Sequence, residues 1–323
     1  MTRKKNMNIL VTGGAGFLGS NLCRSLLLDG HNVTSIDNFD SGKKENLKPF
    51  KVNSKFTSIE HDIRNPLDIS EKFEEIYHLA CPASPKFYQK NPIATTETCV
   101  IGTINVLKKA VKDKATILFT STSEVYGDPE VHPQPESYKG SVNFTGIRSC
   151  YDEGKRCAES LFYDFRRTYG IRIKVARLFN TYGPNMRPDD GRVISNFICQ
   201  SIEDKPLTIY GDGTQTRSFC FVDDLIVGLR ALMSSSDEVY EPINLGNPTE
   251  FSLLELVEEI SKITNRKLSI EHKPLPLDDP KIRRPDISKA KKELNWSPSI
   301  NLQEGLKKTY SYFLSRHKKG EFE

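Results

Sequence analysis

The sequence predicts an α/β protein, built on a doubly wound parallel sheet with a smaller C-terminal lobe. Three observations predict this fold. Short runs rich in β-branched and apolar residues alternate with segments of helical spacing over the first half of the chain. A glycine-rich turn follows the first run, and from residue 180 onward loops rich in Gly, Pro and Asn take over. Alternation of strands and helices favours parallel strands with helices on both faces.

The elements follow in order along the chain. The predicted strands are 8–11, 32–37, 56–60, 75–80, 116–120 and 171–178. The predicted helices between them are 19–28, 93–111 and 150–168. A further helix, 221–233, and a strand, 242–245, are expected to return to the large sheet. We therefore expect a first domain of residues 1–179, joined by 219–246, and a second lobe made mainly of 180–323.

Composition excludes several classes of protein. The 323 residues carry 46 Lys and Arg against 42 Asp and Glu, a net charge of +4, which is too even for a nucleic-acid footprint. The cysteines number seven, which is odd, and include no C-x-x-C pair, which argues against both a disulfide framework and a zinc site. The six histidines are scattered without the spacing of metal ligands. No apolar run suits a signal peptide or a membrane span, so a soluble, cytoplasmic protein is expected.

The glycine-rich turn indicates a dinucleotide site. Gly13, Gly16 and Gly19 follow the first strand and lead into a helix, so backbone N–H groups can approach a pyrophosphate at the helix N-terminus. The spacing is G-x-x-G-x-x-G, which an ordinary turn could also show. Asp37 ends the second strand, where a carboxylate accepts ribose hydroxyls and repels a 2′-phosphate, so NAD is favoured over NADP. Asp62, after the third strand, is placed for the adenine edge or for solvent.

Two segments carry candidate catalytic groups. Tyr151 and Lys155 lie four residues apart on one face of a predicted helix. A lysine cation beside a phenol favours the phenolate, which would make the tyrosine a useful base. Thr122 follows the fifth strand at the ligand end of the sheet, where its hydroxyl can share a hydrogen bond with a substrate hydroxyl.

These residues resemble the extended short-chain dehydrogenase/reductases, which have Rossmann-type domains and a Tyr-x-x-x-Lys pair with an upstream Ser or Thr. The resemblance covers nearly the whole chain and is closest to the UDP-glucuronate decarboxylases. It is carried by the segments 77–85 (YHLACPASP), 121–128 (STSEVYGD), 149–156 (SCYDEGKR), 179–184 (FNTYGP), 191–197 (GRVISNF), 215–217 (QTR) and 284–287 (RPDI).

Position 123 and the neighbouring Glu124 distinguish a decarboxylase from the related dehydratases and epimerases. Related sugar 4,6-dehydratases have Asp followed by Glu after the hydroxyl residue, and the Asp protonates the departing C6 hydroxyl. Here that position is Ser123, and a decarboxylase has no hydroxyl to expel. Plain 4-epimerases commonly lack both acids, so Glu124 counts against them. Another NAD-dependent nucleotide-sugar enzyme, a dehydratase or an epimerase, remains the alternative, and a silent Rossmann regulator is a weaker one.

The resemblance implies a mechanism with UDP-glucuronate as substrate and UDP-xylose as product. Tyr151 removes the C4 hydroxyl proton as hydride passes to NAD, carbon dioxide leaves the β-keto acid, and NADH reduces C4 again. Glu124 either orients the carboxylate or relays the C5 proton. The implied cofactor-binding residues are Gly13, Gly16, Phe17, Leu18, Gly19, Asp37, Asn38, Asp62, Ile63, Leu79, Tyr151, Lys155, Thr181 and Arg192. The implied substrate-binding residues are Glu124, Tyr151, Asn180, Asn196, Arg217 and Arg283.

The resemblance has departures and one consequence for assembly. Many relatives carry Asn where this chain has Cys99, and residues 143–146 (NFTG) differ from the usual proline-containing form. Both departures leave the catalytic residue types unchanged. The resemblance also implies a homodimer, in which helices 93–111 and 150–168 pair with their copies in a four-helix interface and brace the helix of Tyr151.

Overall fold

The computed structural model describes residues 6–275 and 282–322. The N-terminal residues 1–5, which precede the first strand, lie outside the described residues. The strands are β1 (Asn8–Thr12), β2 (Asn32–Asp37), β3 (Phe56–Glu60), β4 (Glu75–His78), β5 (Thr116–Thr122), β6 (Ile173–Leu178), β7 (Thr181–Tyr182), β8 (Leu207–Tyr210), β9 (Thr216–Ser218), β10 (Cys220–Phe221), β11 (Ile243–Leu245), β12 (Glu250–Ser252) and β13 (Ile270–Lys273).

Helices connect most of these strands. They are α1 (Phe17–Leu28), α2 (Pro85–Tyr88), α3 (Pro92–Glu97), α4 (Thr103–Asp113), α5 (Ser149–Tyr169), α6 (Val193–Ile202), α7 (Val222–Met233), α8 (Leu253–Thr264), α9 (Ser288–Leu294) and α10 (Leu302–Lys318). Local signals set several ends. A capping box between Ser252 and Glu255 starts α8, and Gly170 in the left-handed region ends α5.

The central sheet has seven parallel strands in the order β11-β6-β5-β4-β1-β2-β3. The chain starts at β1, moves outward to β3, and then returns through β4 toward the opposite edge. The strand order therefore reverses between β1 and β4, and ligands of such sheets bind at the carboxyl ends of the strands on either side of that reversal. The predicted α/β fold with a doubly wound parallel sheet is confirmed.

The sheet is buried on both faces. Ile9, Val11 and Leu118 point into one apolar cluster, which extends into the smaller lobe, and Leu10 and Ile117 point into the other. Successive side chains of a strand point to opposite faces, so continuous apolar runs such as that of β1 suit a strand covered on both sides. The strands that end at the carboxyl edge of the sheet are thus packed on both faces.

Some boundaries differ from the prediction. The helix predicted over 93–111 is divided, because a π turn at Thr98–Gly102 separates α3 from α4. The sequence did not reveal the π turn, because such a turn has no residue-type signature of its own and the apolar spacing on either side of it is still helical. Helix α1 begins at Phe17, two residues before the predicted start, and β4 ends at His78, two residues before its predicted end.

The C-terminal part of the chain contributes small two-stranded sheets, β9 with β12 and β8 with β13. Strand β11 pairs with β6 at the edge of the large sheet. Within residues 6–275 and 282–322, no helix combines the length and apolar character needed to span a bilayer. The same residues contain no cluster of His, Cys, Asp or Glu arranged to hold a metal ion.

Candidate active site

A cavity of about 590 Å³ runs along the carboxyl edge of the sheet into the smaller lobe. It begins at the glycine-rich turn after β1, passes the ends of β4 and β5, and reaches the loops around β9. Every residue that the sequence nominated for cofactor, substrate or catalysis lines this cavity. The tertiary structure therefore brings together side chains that are spread from Gly13 to Arg283.

The glycine-rich turn has the shape that a dinucleotide requires. Gly13 has φ +74°, and a Cβ added there would lie 2.9 Å from the Ala80 Cα. A Cβ on Gly19 would lie 2.7 Å from the Gly14 Cα, so α1 could not pack so closely on the turn. These glycines leave the N-terminus of α1 open at the cavity, where helix N–H groups favour an anion. The cradle fits the pyrophosphate of NAD.

Asp37 lies at the cavity wall at the end of β2. Its side chain is buried, Oδ2 accepts the Ala15 N–H at 2.9 Å, and Oδ1 accepts the Phe39 N–H at 2.9 Å. Burial raises the pKa of this carboxyl, while the two backbone hydrogen bonds oppose the change. Each carboxylate oxygen has a second acceptor position. The carboxylate is therefore fixed in orientation, and it can still accept hydroxyl groups from the cavity side.

Asp62 also faces the cavity, but a neighbour holds its carboxylate. The Arg64 guanidinium donates to it from Nε, at 3.0 Å to Oδ2, and from Nη2, at 2.7 Å to the same oxygen. Asn38 Nδ2 donates to Oδ2 at 3.3 Å. The hydrogen bonds from Arg64 lower the pKa of Asp62. The carboxylate is thus an acceptor that Arg64 already uses, a pairing that its position after β3 did not indicate.

Tyr151, Lys155 and Thr122 meet at the centre of the cavity. Lys155 Nζ donates to the Thr120 carbonyl at 2.8 Å and lies 5.8 Å from the centre of the Tyr151 ring. Tyr151 is buried and hydrogen-bonds to Thr122. Burial is the largest influence on Tyr151 and raises its pKa well above the ordinary value of a phenol, and the nearby Cys81 adds to this.

The direction of the Tyr151 pKa differs from the sequence argument. That argument considered the attraction of the Lys155 cation and left out the cost of removing a phenolate from water. In the folded protein burial is the largest influence on this pKa and raises it, because the ring is almost completely enclosed. Tyr151 is consequently protonated at neutral pH in the protein alone.

Glu124 is held between two arginines. Its Oε2 accepts Arg148 Nη2 at 2.7 Å and Arg283 Nη2 at 2.8 Å, and its Oε1 pairs with Arg283 Nη1 at 2.7 Å. Burial raises the pKa of Glu124, but the charges of Arg283 and Arg148 outweigh it and hold the pKa below its ordinary value. The group is therefore an ionised carboxylate flanked by two cations, directly beside Thr122.

Three residues of this site were missed in the sequence. Arg148 precedes the SCYDEGKR segment by one position, and that adjacency was its only signal. Tyr88 stacks on Tyr151 with ring centres 5.0 Å apart and planes 5° apart, and its buried hydroxyl has no hydrogen-bond partner among the described residues. Asp152 is buried beside this group, and burial, followed by the charge of Glu124, raises its pKa to about 7. Asp152 lies within the SCYDEGKR segment, next to Tyr151, whereas no local pattern identifies Tyr88.

The far end of the cavity is lined by polar groups from the smaller lobe. Arg217, on β9, donates from Nη1 to the Thr216 carbonyl at 2.9 Å. Arg192 precedes α6 and pairs with Asp190 at 3.1 Å, and Asn196 donates to the Gly191 carbonyl at 3.1 Å. The remaining nominated residues at this end, Asn180 and Thr181, follow β6.

The sheet, the glycine-rich turn and the Thr122–Tyr151–Lys155 group define a member of the extended short-chain dehydrogenase/reductases. Residues 10–309 match the family model described as GDP-mannose 4,6 dehydratase. The chain is 53% identical over 313 residues to UDP-glucuronic acid decarboxylase 1 of Arabidopsis thaliana, covering 97% of this chain and 71% of that protein. It is 49% identical to UDP-glucuronic acid decarboxylase 1 of Danio rerio, covering 97% and 74%. The chain belongs to this family of UDP-glucuronic acid decarboxylases, and the resemblance seen in the sequence is confirmed.

Solved structures of related enzymes have the same fold. UDP-glucuronic acid 4-epimerase from Bacillus cereus, in complex with UDP-glucuronic acid and NAD, is 33% identical, with a TM-score of 0.88 over 96% of this chain and 99% of that one. UDP-glucose 4-epimerase from Thermotoga maritima, with UDP-glucose, is 31% identical, with a TM-score of 0.88 over 96% and 100%.

Proposed function

We propose that this protein decarboxylates UDP-glucuronate to UDP-xylose and carbon dioxide through a 4-keto intermediate, with NAD as a recycled cofactor. The observation that carries the proposal is the Glu124 carboxylate between Arg148 and Arg283, placed beside Thr122 and Tyr151 in one cavity. Arg148 and Arg283 together carry more positive charge than Glu124 neutralises, at the place where a sugar carboxylate has to be held. The relatives named above are decarboxylases, which supports the same reaction.

The cofactor site fits NAD. Gly13, Gly16 and Gly19 would hold its pyrophosphate at the start of α1, and Asp37 would accept its adenosine ribose hydroxyls. The other residues nominated for the cofactor line the same wall. When bound, NAD supplies the acceptor and donor of hydride at C4 of the sugar.

The catalytic roles that we propose follow from the contacts. Tyr151 accepts the proton of the C4 hydroxyl, Thr122 hydrogen-bonds that hydroxyl, and Lys155 stabilises the phenolate that forms. Glu124 stays ionised because of its two arginines, so we assign it to orientation of the arginines and of the sugar rather than to donation of a proton. Asn180, Asn196, Arg192, Arg217 and Arg283 would contact the UDP or sugar.

Ser123 separates decarboxylation from dehydration. It is buried beside Glu124 and carries no acid to protonate a departing C6 hydroxyl. In deuterated water, UDP-glucuronate should give carbon dioxide and a xylose product with one deuterium at C5, without added reductant. UDP-glucose should not yield a 4-keto-6-deoxy sugar. Efficient dehydration, or xylose without solvent deuterium at C5, would show that the mechanism is wrong.

We also propose a homodimer that forms through α3, α4 and α5. Ile93 on α3 and Ile101 in the π turn are 72% and 45% exposed, and Ile147, just before α5, is 56% exposed. Several exposed large apolar side chains on neighbouring elements are typical of a surface that another chain covers. Light scattering at micromolar concentration should give twice the chain mass, and a monomer mass would refute the assignment.

Two assignments from the sequence complete the proposal. The first is a cytoplasmic location, which fractionation of the source cells would test. The second is the division into an NAD-binding domain of residues 1–179, joined by 219–246, and a nucleotide-sugar lobe made mainly of 180–323. Pairing of β11 with β6 supports the return of the later segment.

A further inference from the structure

Two cysteines meet beside the catalytic group. Cys81 Sγ and Cys99 Sγ are 3.2 Å apart, although the residues are 18 positions apart in sequence. Cys81 follows β4 and lines the cavity, whereas Cys99 lies in the π turn and is 3% exposed. A π turn inserts one residue into a helix and re-aims the side chains around it. The turn therefore presents the Cys99 thiol to the cavity wall.

The pair is packed against the helix that carries the catalytic residues. A Cβ added at Gly154 would lie 2.9 Å from the Cys99 Cβ, so Cys99 rests on the backbone of α5 between Tyr151 and Lys155. Cys81 is close enough to Tyr151 to influence its pKa. The residue before Cys81 is also hydrogen-bonded to β1, because the Ala80 N–H donates to Thr12 Oγ1 at 3.3 Å.

We infer that Cys81 and Cys99 form an oxidation site, at which a hydroperoxide that enters through the substrate cavity produces an intramolecular disulfide and reversibly stops turnover. This site goes beyond the proposed reaction, which uses neither thiol. The contact between the two sulfurs places them for a disulfide bond, and peroxide can reach Cys81 because this residue lines the cavity. The other buried thiols, Cys23, Cys199 and Cys220, do not line the cavity.

The chemistry balances in two steps. The Cys81 thiolate attacks the peroxide, so that an S–O bond forms, the O–O bond breaks, and the first water or alcohol leaves with the thiol proton. The Cys99 sulfur then attacks the sulfenic acid, an S–S bond forms, the S–O bond breaks, and water leaves with the Cys99 proton. Two thiols lose two electrons in total, and the peroxide gains them.

Local charges favour Cys81 as the attacking thiol. The hydrogen bond between the two thiols lowers the pKa of Cys81, and the charge of Lys155 acts in the same direction against the effect of burial. The same contact and burial raise the pKa of Cys99. Thiolate character and exposure determine which thiol reacts with peroxide. Cys81 has both, and Cys99 is the resolving partner.

Bond formation moves the site by about one ångström. A disulfide requires an S–S distance of about 2.05 Å, so the sulfurs must approach by roughly 1.2 Å from their present 3.2 Å. Cys99 is backed by α5, so the movement shifts either the Cys81 segment or the helix of Tyr151. A misplacement of about 1 Å at a catalytic site can lower the rate by up to about a hundredfold. We expect at least a tenfold loss of kcat.

Peptide mapping tests the bond without reference to the reaction. The NAD-loaded protein is treated with hydrogen peroxide, alkylated and digested with trypsin, which cleaves after Lys86 and Lys90 between the two cysteines. We expect a linked species made of peptides 73–86 and 91–108, which dithiothreitol separates. A link from Cys81 to Cys150, or oxidation of Cys81 to sulfinic acid without a link, would overturn the inference. The result stands whether or not UDP-glucuronate is the substrate.

Activity measurements test the consequence. Cys99→Ala should keep basal turnover and lose most of its sensitivity to peroxide, and Cys99→Asn should behave in the same way. Cys157→Ala, which removes an exposed thiol of α5, is the matched control and should remain as sensitive as the unaltered protein. Dithiothreitol should restore the oxidised enzyme. Equal inactivation of Cys99→Ala and the unaltered protein would refute the assignment.

Discussion

Replacement of Glu124 by Gln tests the charge arrangement at the heart of the site. The change keeps the shape of the side chain but removes the anion between Arg148 and Arg283, which are both largely buried. Removal of one partner from a buried ion pair leaves an uncompensated charge and costs about 3–5 kcal/mol. Here two guanidiniums would also face each other across a neutral amide. We therefore expect the free energy of unfolding to fall by at least the lower value.

The loss converts to a measurable shift in melting temperature. At about 2.1 cal/mol/K per residue, a chain of 323 residues has an unfolding entropy of about 0.7 kcal/mol/K, so the expected decrease in Tm is about 4–7 °C. Glu153→Gln is the matched control, because it makes the same replacement at a residue of α5 whose ion pair with Arg156 is exposed. Exposed pairs contribute about 0–1 kcal/mol. Equal Tm values for the two variants would refute the reasoning.

The difference should also depend on pH with a defined sign. The folded-state pKa of Glu124 lies below the unfolded value, so its contribution is fully present above the ordinary pKa of a glutamate and is lost as pH falls through the folded value. The Tm difference between the unaltered protein and Glu124→Gln should therefore be constant near neutrality and shrink below about pH 4. A difference that grows in acid would contradict this sign.

Other predictions follow from the same structure. Tyr151→Phe should retain NAD binding and lose at least about a hundredfold in turnover, because a positioned base is removed. Tyr163→Phe, on the same helix, is the control and should remain active. An active Tyr151→Phe variant would exclude the role of Tyr151. Calorimetric titration should show selective binding of NAD, since Asp37 would repel a 2′-phosphate; equal affinity for NADP would contradict that role. Asp152 has a pKa raised to about 7, so it stabilises the folded state progressively less as pH rises from about 4 to 7. Asp152→Asn should flatten this decline in chemical denaturation, and an unchanged slope would show that Asp152 is not its source.

Sequence reasoning was most successful where the signal is local. The alternation of apolar runs with helical spacing predicted the six main strands, because each strand shows its burial in its own residues. The glycines of the first turn were recognisable for a similar reason, since close backbone approach excludes a side chain wherever the chain folds in this way. Thr122, Tyr151 and Lys155 were singled out from strand position and helical spacing, and the short motifs around them carried the resemblance.

The sequence by itself determined the fold class, the family and the nominated residues of the cavity, because those depend on periodicity, glycine spacing and contiguous motifs. Only the tertiary structure decided how the residues act on one another. Glu124 and Arg283 are 159 positions apart and meet through packing of the smaller lobe on the sheet. Burial reversed the expected pKa direction of Tyr151, and a π turn placed Cys99 against Cys81. Desolvation and long-range pairing depend on what surrounds a side chain in space, and no local pattern of residues contains that information.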